Sequence, residues 1–313
     1  MISYSTVLNV VLNMLNAETV IILRSSLRRN IKVKNLLNLF PRLRFRLWLS
    51  SSLRFANFFS KLPILKNRQN KLSQFQIDAF ANLGMDYVKA RELTNSLCLR
   101  TFQSNYDSSN GMWSDHLVYF SGLSLLGYKP KGILEVGTFK GETTRYLSFL
   151  FPESLIRTLD ISRDEMNLKN IYSYAINSST DLFTHRKNNI GALENVQFNE
   201  TNSLSLTFEN EEYDLIWLDG AHGYPIANID FANCLRLLAP NGKLVCDDIY
   251  LDIKREDPNY FSLAVFKSLE AFKSANLVDF RLILKRIDLK FNYWKTQKKF
   301  VAIAEKKSNF GSN

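Results

Sequence analysis

The chain has 313 residues, 46% hydrophobic and 22% charged, a composition that supports a sizeable core and argues against bulk disorder. Its net charge of +10 is uneven: residues 1–71 carry 13 Lys and Arg against Glu18 alone, net +12, while the remainder is close to neutral at −2. No run approaches the roughly 18 apolar residues of a membrane span, and the three scattered cysteines, Cys98, Cys234 and Cys246, suit neither a disulfide framework nor a zinc site.

Met1–Leu23 is moderately apolar but carries Asn9, Asn13, Asn16 and Glu18, and its arginines follow rather than precede it. A secretory signal peptide fits poorly, and a cytoplasmic protein is expected. Within residues 1–71, Phe55, Phe58, Phe59 and Leu62 fall at helical spacing, whereas Arg42, Arg44 and Arg46 alternate with Leu43, Phe45 and Leu47. Short amphipathic elements follow. Their charge suits an anionic membrane surface, which would make the protein membrane-peripheral, or a nucleic acid. Packing on the rest of the chain, or on a second subunit of a homo-oligomer, is the plainer alternative.

Residues 72–130 read as a helical lead-in. Phe75–Ala90 places Phe75, Ile77, Phe80, Leu83 and Tyr87 in a helical pattern, and Asp115–Leu126 ends at the stop signals Gly127 and Pro130. From Gly132 strands and helices alternate. Strands are expected at Ile133–Val136, Leu155–Asp160, Val196–Asn199, Tyr213–Leu218 and Lys243–Cys246, with helices from Glu142 to about Phe151 and from about Ile226 to Leu238. Ala239–Gly242 reads as a turn. A helix, Phe261–Ala275, and two β-rich runs, Val278–Ile287 and Lys299–Ala304, close the domain. This alternation predicts an α/β fold with a mostly parallel sheet and helices on both faces.

The strongest local signal is Ile133-Leu-Glu-Val-Gly-Thr-Phe-Lys-Gly-Glu-Thr-Thr-Arg145. Gly137 lets the backbone turn sharply off the strand, and Gly141 lets the next helix start close to a ligand. Glu135 can accept from an ammonium group, while Thr143 and the helix N-terminus can donate to a carboxylate. About 20 residues on, Asp160 closes the second strand, where a carboxylate meets ribose hydroxyls. That is the polar outline of S-adenosylmethionine. The Gly-x-Gly-x-x-Gly of a nicotinamide site is missing from Thr138–Glu142.

Ile133–Tyr146, Thr158–Ile161 and Tyr213–Asp248 resemble class I S-adenosylmethionine methyltransferases. Within these, residues 112–305 are most similar to O-methyltransferases of the catechol, macrolide-sugar and cephalosporin-biosynthesis type. The resemblance implies a Rossmann-like sheet of seven strands with the last antiparallel, and a methyltransferase domain over residues 131–307. It implies cofactor contacts from Glu135, Gly137, Phe139, Gly141, Thr143 and Asp160, with Asn202 and Ser203 beside the adenine.

Trp217-Leu-Asp-Gly-Ala-His-Gly-Tyr224 follows the fourth strand and Val245-Cys-Asp-Asp-Ile249 ends the fifth, so Asp219, Asp247 and Asp248 should converge on one sheet edge. Three ionised carboxylates need a counter-charge, and an oxygen-seeking divalent cation, Mg²⁺ above all, would supply it. Such an ion would also lower the pKa of an acceptor hydroxyl. His222 stands where the similar O-methyltransferases place a general base. The chain departs from their pattern at Lys140 in the glycine turn, and at Asp248 where many catechol-type enzymes have an amide. It also departs in the long link from Ser162 to Glu194, whose Tyr172, Tyr174, His185 and Arg186 would form a lid or a surface insertion.

The sequence therefore points to metal-assisted O-methylation of a small hydroxylated acceptor, a sugar or a secondary metabolite. Two other readings stay open: a nucleic-acid methyltransferase tethered by the basic segment, and a non-catalytic membrane-peripheral protein that retains the fold.

Overall fold

The computed structural model describes residues 63–108, 113–161, 179–253, 262–287 and 298–308. The amphipathic elements expected before Pro63, and Tyr172 and Tyr174 of the long link, lie outside the described residues. A boundary after Arg68 divides the chain into two units, and Gln69–Asn313 contains every strand described below.

Three helices precede the sheet: α1 Pro63–Ala81, α2 Tyr87–Phe102 and α3 Asp115–Leu125. The apolar run Phe75–Ala90 is thus two helices rather than one. Gly84 takes a left-handed φ of 74°, and Asp86 starts the second helix by accepting from the Val88 and Lys89 amides. A carboxylate cap of this kind satisfies donors that have no partner within the helix, which the apolar spacing alone does not reveal. The Asp115 carboxylate ties the lead-in together, accepting from Tyr106 Oη (2.8 Å), Tyr87 Oη (3.0 Å) and Gln76 Nε2 (2.6 Å).

The strands are β1 Gly132–Val136, β2 Leu155–Asp160, β3 Val196–Glu200, β4 Tyr213–Leu218, β5 Leu238–Ile249, β6 Val278–Leu284 and β7 Phe300–Lys306. Between them lie α4 Glu142–Leu150, α5 Ser179–Ile190, α6 Ile226–Leu237 and α7 Ala264–Ser274. The order across the sheet is β3-β2-β1-β4-β5-β7-β6, with the first five strands parallel and β7 antiparallel to both its neighbours. This is the Rossmann-like seven-stranded arrangement expected. Because β6 runs with β5 and β7 runs against both, the C-terminal ends of β4, β5 and β6 and the N-terminal end of β7 meet on one edge.

The central strands are apolar on both faces, as a covered parallel sheet requires. Ile133, Leu134, Leu215, Ile216, Trp217, Leu244 and Val245 are fully buried, and each such side chain contributes about 1.5–3 kcal/mol of transfer free energy. Strand β5 is longer than its sequence suggests. Leu238 already pairs with Tyr213, and the register shifts before Lys243 meets Leu215, so Ala239–Gly242 is an irregularity within the strand. A second shift falls between Cys246 and Ile249, with Asp248 at a φ of 52°. An irregularity of this type re-aims side chains near a site, and here it turns Asp247 and Asp248.

Candidate functional site

Gly137 has a φ of 100°, and a Cβ there would lie 2.3 Å from the Asp219 carbonyl oxygen. The glycine is therefore required by the close approach of the β1 turn to the loop after β4. Gly141 (φ 75°) serves the packing of α5, because a Cβ would meet Ile190 Cγ2 at 2.8 Å. Glu135 is buried on β1 and accepts from Thr144 Oγ1 and from Thr158 Oγ1 (2.6 Å), both through Oε2. Burial raises its carboxyl to about 7, against the opposing effect of the two hydroxyls. An ammonium group on a ligand would restore the ionised form. Thr143 Oγ1 lies 3.4 Å from His116 Nε2, at the first turn of α4.

Asp160 does not present an open carboxylate to a ribose. Its Oδ2 accepts from the Phe139 amide (2.7 Å) and from Arg186 Nη2 (2.6 Å), and its Oδ1 accepts from the Ile161 amide (2.9 Å). Arg186, expected in a lid or a surface insertion, instead lies buried under the turn. Its Nε donates to the Phe139 carbonyl at 2.7 Å, and its guanidinium covers the Phe198 ring at 4.8 Å. Phe139 (φ 47°) thus contributes backbone groups to this latch. Asn202 caps the short 3-10 turn Ser203–Phe208, its Oδ1 accepting from the Leu204 amide at 3.0 Å. Ser203 lies near the buried Asp230, whose carboxyl burial raises to about 6.

The three acids do converge, but the counter-charge belongs to the chain. Lys285, immediately after β6, donates through Nζ to Asp247 Oδ2 and, at 2.5 Å, to Asp248 Oδ1; Lys299, just before β7, donates to Asp248 Oδ2. Burial opposes ionisation of Asp247 and Asp248, yet the Lys285 ammonium outweighs it and holds both below the usual carboxylate range. Burial, followed by the Asp247 charge, keeps Asp219 well above that range. Two carboxylates thus face two ammoniums beside Asp219, whose burial favours its neutral form. The expected magnesium set does not fit this arrangement, because Lys285 sits where the ion would go. Among the described residues no group of three His, Cys, Asp or Glu side chains is arranged to hold a metal.

His222 Nε2 lies 3.5 Å from Asp219 Oδ1 and 3.9 Å from Asp248 Oδ2. Burial lowers its pKa against the pull of the acids, so the imidazole is neutral, the form a proton acceptor needs. Beside it Leu218, Asp247, Asp248, Tyr250 and Phe266 line a cavity of about 10 Å³, room for a single water.

Residues 134–249 match the family model of a methyltransferase domain. The match takes in the glycine turn, Asp160, the His222 loop and both acids of β5. No curated protein matches the chain. Similar solved structures include N-methyltransferase NodS from Bradyrhizobium japonicum WM9, at 13% identity and TM-score 0.42, covering 60% of this chain and 92% of that one. An O-methyltransferase family protein from Burkholderia thailandensis is similar at 11% identity and TM-score 0.41, covering 71% of each chain. An rRNA methylase from Streptococcus thermophilus is similar at 13% identity and TM-score 0.37, covering 56% of this chain and 86% of that one. At these levels they assign no acceptor.

Within residues 72–307, sequence reasoning missed Lys285, Lys299 and His116. His116 opens α3, accepts or donates at Nδ1 with Ser114 Oγ (2.6 Å), and stacks on Trp217 at 4.5 Å. Burial lowers its pKa to about 3, so it is neutral too. A signal for Lys285 existed: it ends the apolar run Leu282-Ile-Leu284 on a strand parallel to β5, and such strand ends share an edge. No helix among the described residues is long and apolar enough to cross a membrane.

Proposed function

We propose that the chain is an S-adenosylmethionine-dependent O-methyltransferase acting on a small hydroxylated acceptor, a sugar or a secondary metabolite. The supporting observation is that the glycine turn and the His222 loop are built against one another. The Asp219 amide donates to the Val136 carbonyl at 2.9 Å, and Gly137 leaves no space for a Cβ against Asp219. A cofactor held at the first strand end therefore adjoins a neutral imidazole.

Glu135 and the N-terminus of α4 with Thr143 would hold the cofactor's amino and carboxylate groups. When bound, S-adenosylmethionine supplies an electrophilic methyl group. The chain's own part is to align the acceptor oxygen and take its proton at His222 Nε2. The mutual packing of Gly137 and Asp219 fixes the separation of the two subsites. The nucleic-acid alternative rests on the basic segment, whose 1–62 portion lies outside the described residues.

Calorimetric titration of the full chain with S-adenosylmethionine tests the reading. Binding at micromolar affinity is expected, and a folded protein that binds none overturns it. His222→Asn should lower methyl transfer to a hydroxylated acceptor by about a hundredfold while cofactor affinity stays unchanged.

A further inference from the structure

The chain carries its own cation at the position where a divalent ion would otherwise balance the acids. We infer that Lys285 is the resident counter-cation of the Asp219–Asp247–Asp248 cluster, and that this site works without a divalent metal. The inference deepens the methyltransferase reading above and rests on it for its catalytic meaning, but the cation geometry stands by itself.

Three features build the ammonium into the fold. The first is topology: β6 ends on the same edge as β5, which brings Lys285 to residues 37 and 38 positions earlier in the chain. The second is anchoring of the Lys285 backbone on both sides. Its amide donates to the Lys299 carbonyl at 3.0 Å, and its carbonyl accepts from the Asp115 amide at 2.9 Å. Gln76 fixes the residue before it, accepting from the Leu284 amide at 2.8 Å and donating to the Leu284 carbonyl at 3.0 Å. The third is burial. The Lys285 side chain is 6% exposed and the Asp247 side chain 2%, so the pair is a core feature and not a surface contact that solvent screens.

A divalent ion asks for several oxygen ligands at short range. Here Asp247 Oδ2 and both oxygens of Asp248 are already engaged by ammonium groups, so an entering ion would have to separate Lys285 from its buried carboxylate partners. The chemical consequence is a division of labour. Without a Lewis acid to acidify the acceptor hydroxyl, proton removal falls to His222, and Lys285 acts as a positioning residue that keeps the two carboxylates ionised and in place.

The test is a metal titration of the full-length wild-type protein and of Lys285→Met, a neutral side chain of similar length, using Mn²⁺ as the probe. Wild type should show no stoichiometric binding up to about 1 mM Mn²⁺. Lys285→Met should bind one ion, at least about a hundredfold tighter than wild type, because a positive charge has left a cluster of carboxylates. A wild-type protein that binds one Mn²⁺ as tightly as the variant overturns the inference, and so does a folded Lys285→Met that gains no site. Should Lys285→Met fail to fold, Lys285→Arg decides: it keeps the charge and should stay silent toward Mn²⁺, and binding there overturns the inference equally. S-adenosylmethionine titration in EDTA separates the two claims. Loss of cofactor binding in the chelator overturns the metal-free reading, whereas absence of binding with or without Mn²⁺ overturns the methyltransferase reading and leaves the cation assignment to the Mn²⁺ result.

Discussion

At the β1–β2 side of the sheet edge a single buried carboxylate, Asp160, meets a single guanidinium, Arg186, whereas at the β4–β5 side two carboxylates, Asp247 and Asp248, meet the ammoniums of Lys285 and Lys299 beside Asp219. In both places acids that were expected to face a ligand are satisfied by the chain itself. The difference lies in what else holds them. Asp160 also accepts two backbone amides, from Phe139 and Ile161, so much of its position is set by the turn. Asp247 has no such support from the backbone among the described residues and is held by side chains, the Lys285 ammonium and the neighbouring Asp219 carboxyl. The first pair is thus a latch on a stiff turn, and the second is a charge balance that depends on distant side chains.

The largest effect should come from breaking the latch. Arg186→Met leaves Asp160 buried without its charge partner and should cost about 3–5 kcal/mol, read as a fall in denaturation midpoint. The paired change Arg186→Met with Asp160→Asn should recover much of that loss. No recovery would mean that the Phe139 carbonyl contact and the Phe198 stacking, not the charge pair, carry the stability.

A pH effect of similar origin is expected at Glu135. Its folded carboxyl titrates near 7, above its ordinary value of 4.5, so the folded state holds the proton more tightly than the unfolded chain. That contribution is complete below pH 4.5 and is lost progressively as pH rises to about 7, on the order of 3 kcal/mol in the cofactor-free protein. Glu135→Gln should flatten this part of the stability profile, as read by urea denaturation across that range. An unchanged profile would show that Glu135 is ionised without a ligand.

The smallest effect concerns Asn202. Removing its cap by Asn202→Ala should cost about 1 kcal/mol, while S-adenosylmethionine affinity changes less than about threefold. A larger loss of affinity would support the place beside the adenine that the family resemblance implies for Asn202.

The sequence by itself determined five strands, the fifth shorter than the structure has it, two further β-rich runs and the glycine turn, while the seven-stranded sheet came from the family resemblance. The strands and the turn follow from local causes: apolar runs of strand length, a backbone that needs φ above zero at Gly137, and acids placed just beyond strand ends. The same locality carried His222 and the three aspartates to one edge, because parallel strands end together. Only the tertiary structure decided which cations meet those acids. Arg186 reaches Asp160 across 26 positions and Lys285 reaches Asp247 across 38, and no periodicity encodes a pairing at such separation. The glycines show the same limit: Gly137 read as a sharp turn and Gly141 as room for a ligand, yet the atoms that exclude a Cβ belong to Asp219 and Ile190. A charge's partner depends on where the fold brings it, and so the opposing charge of the acidic cluster was foreseen as a metal and found as a lysine.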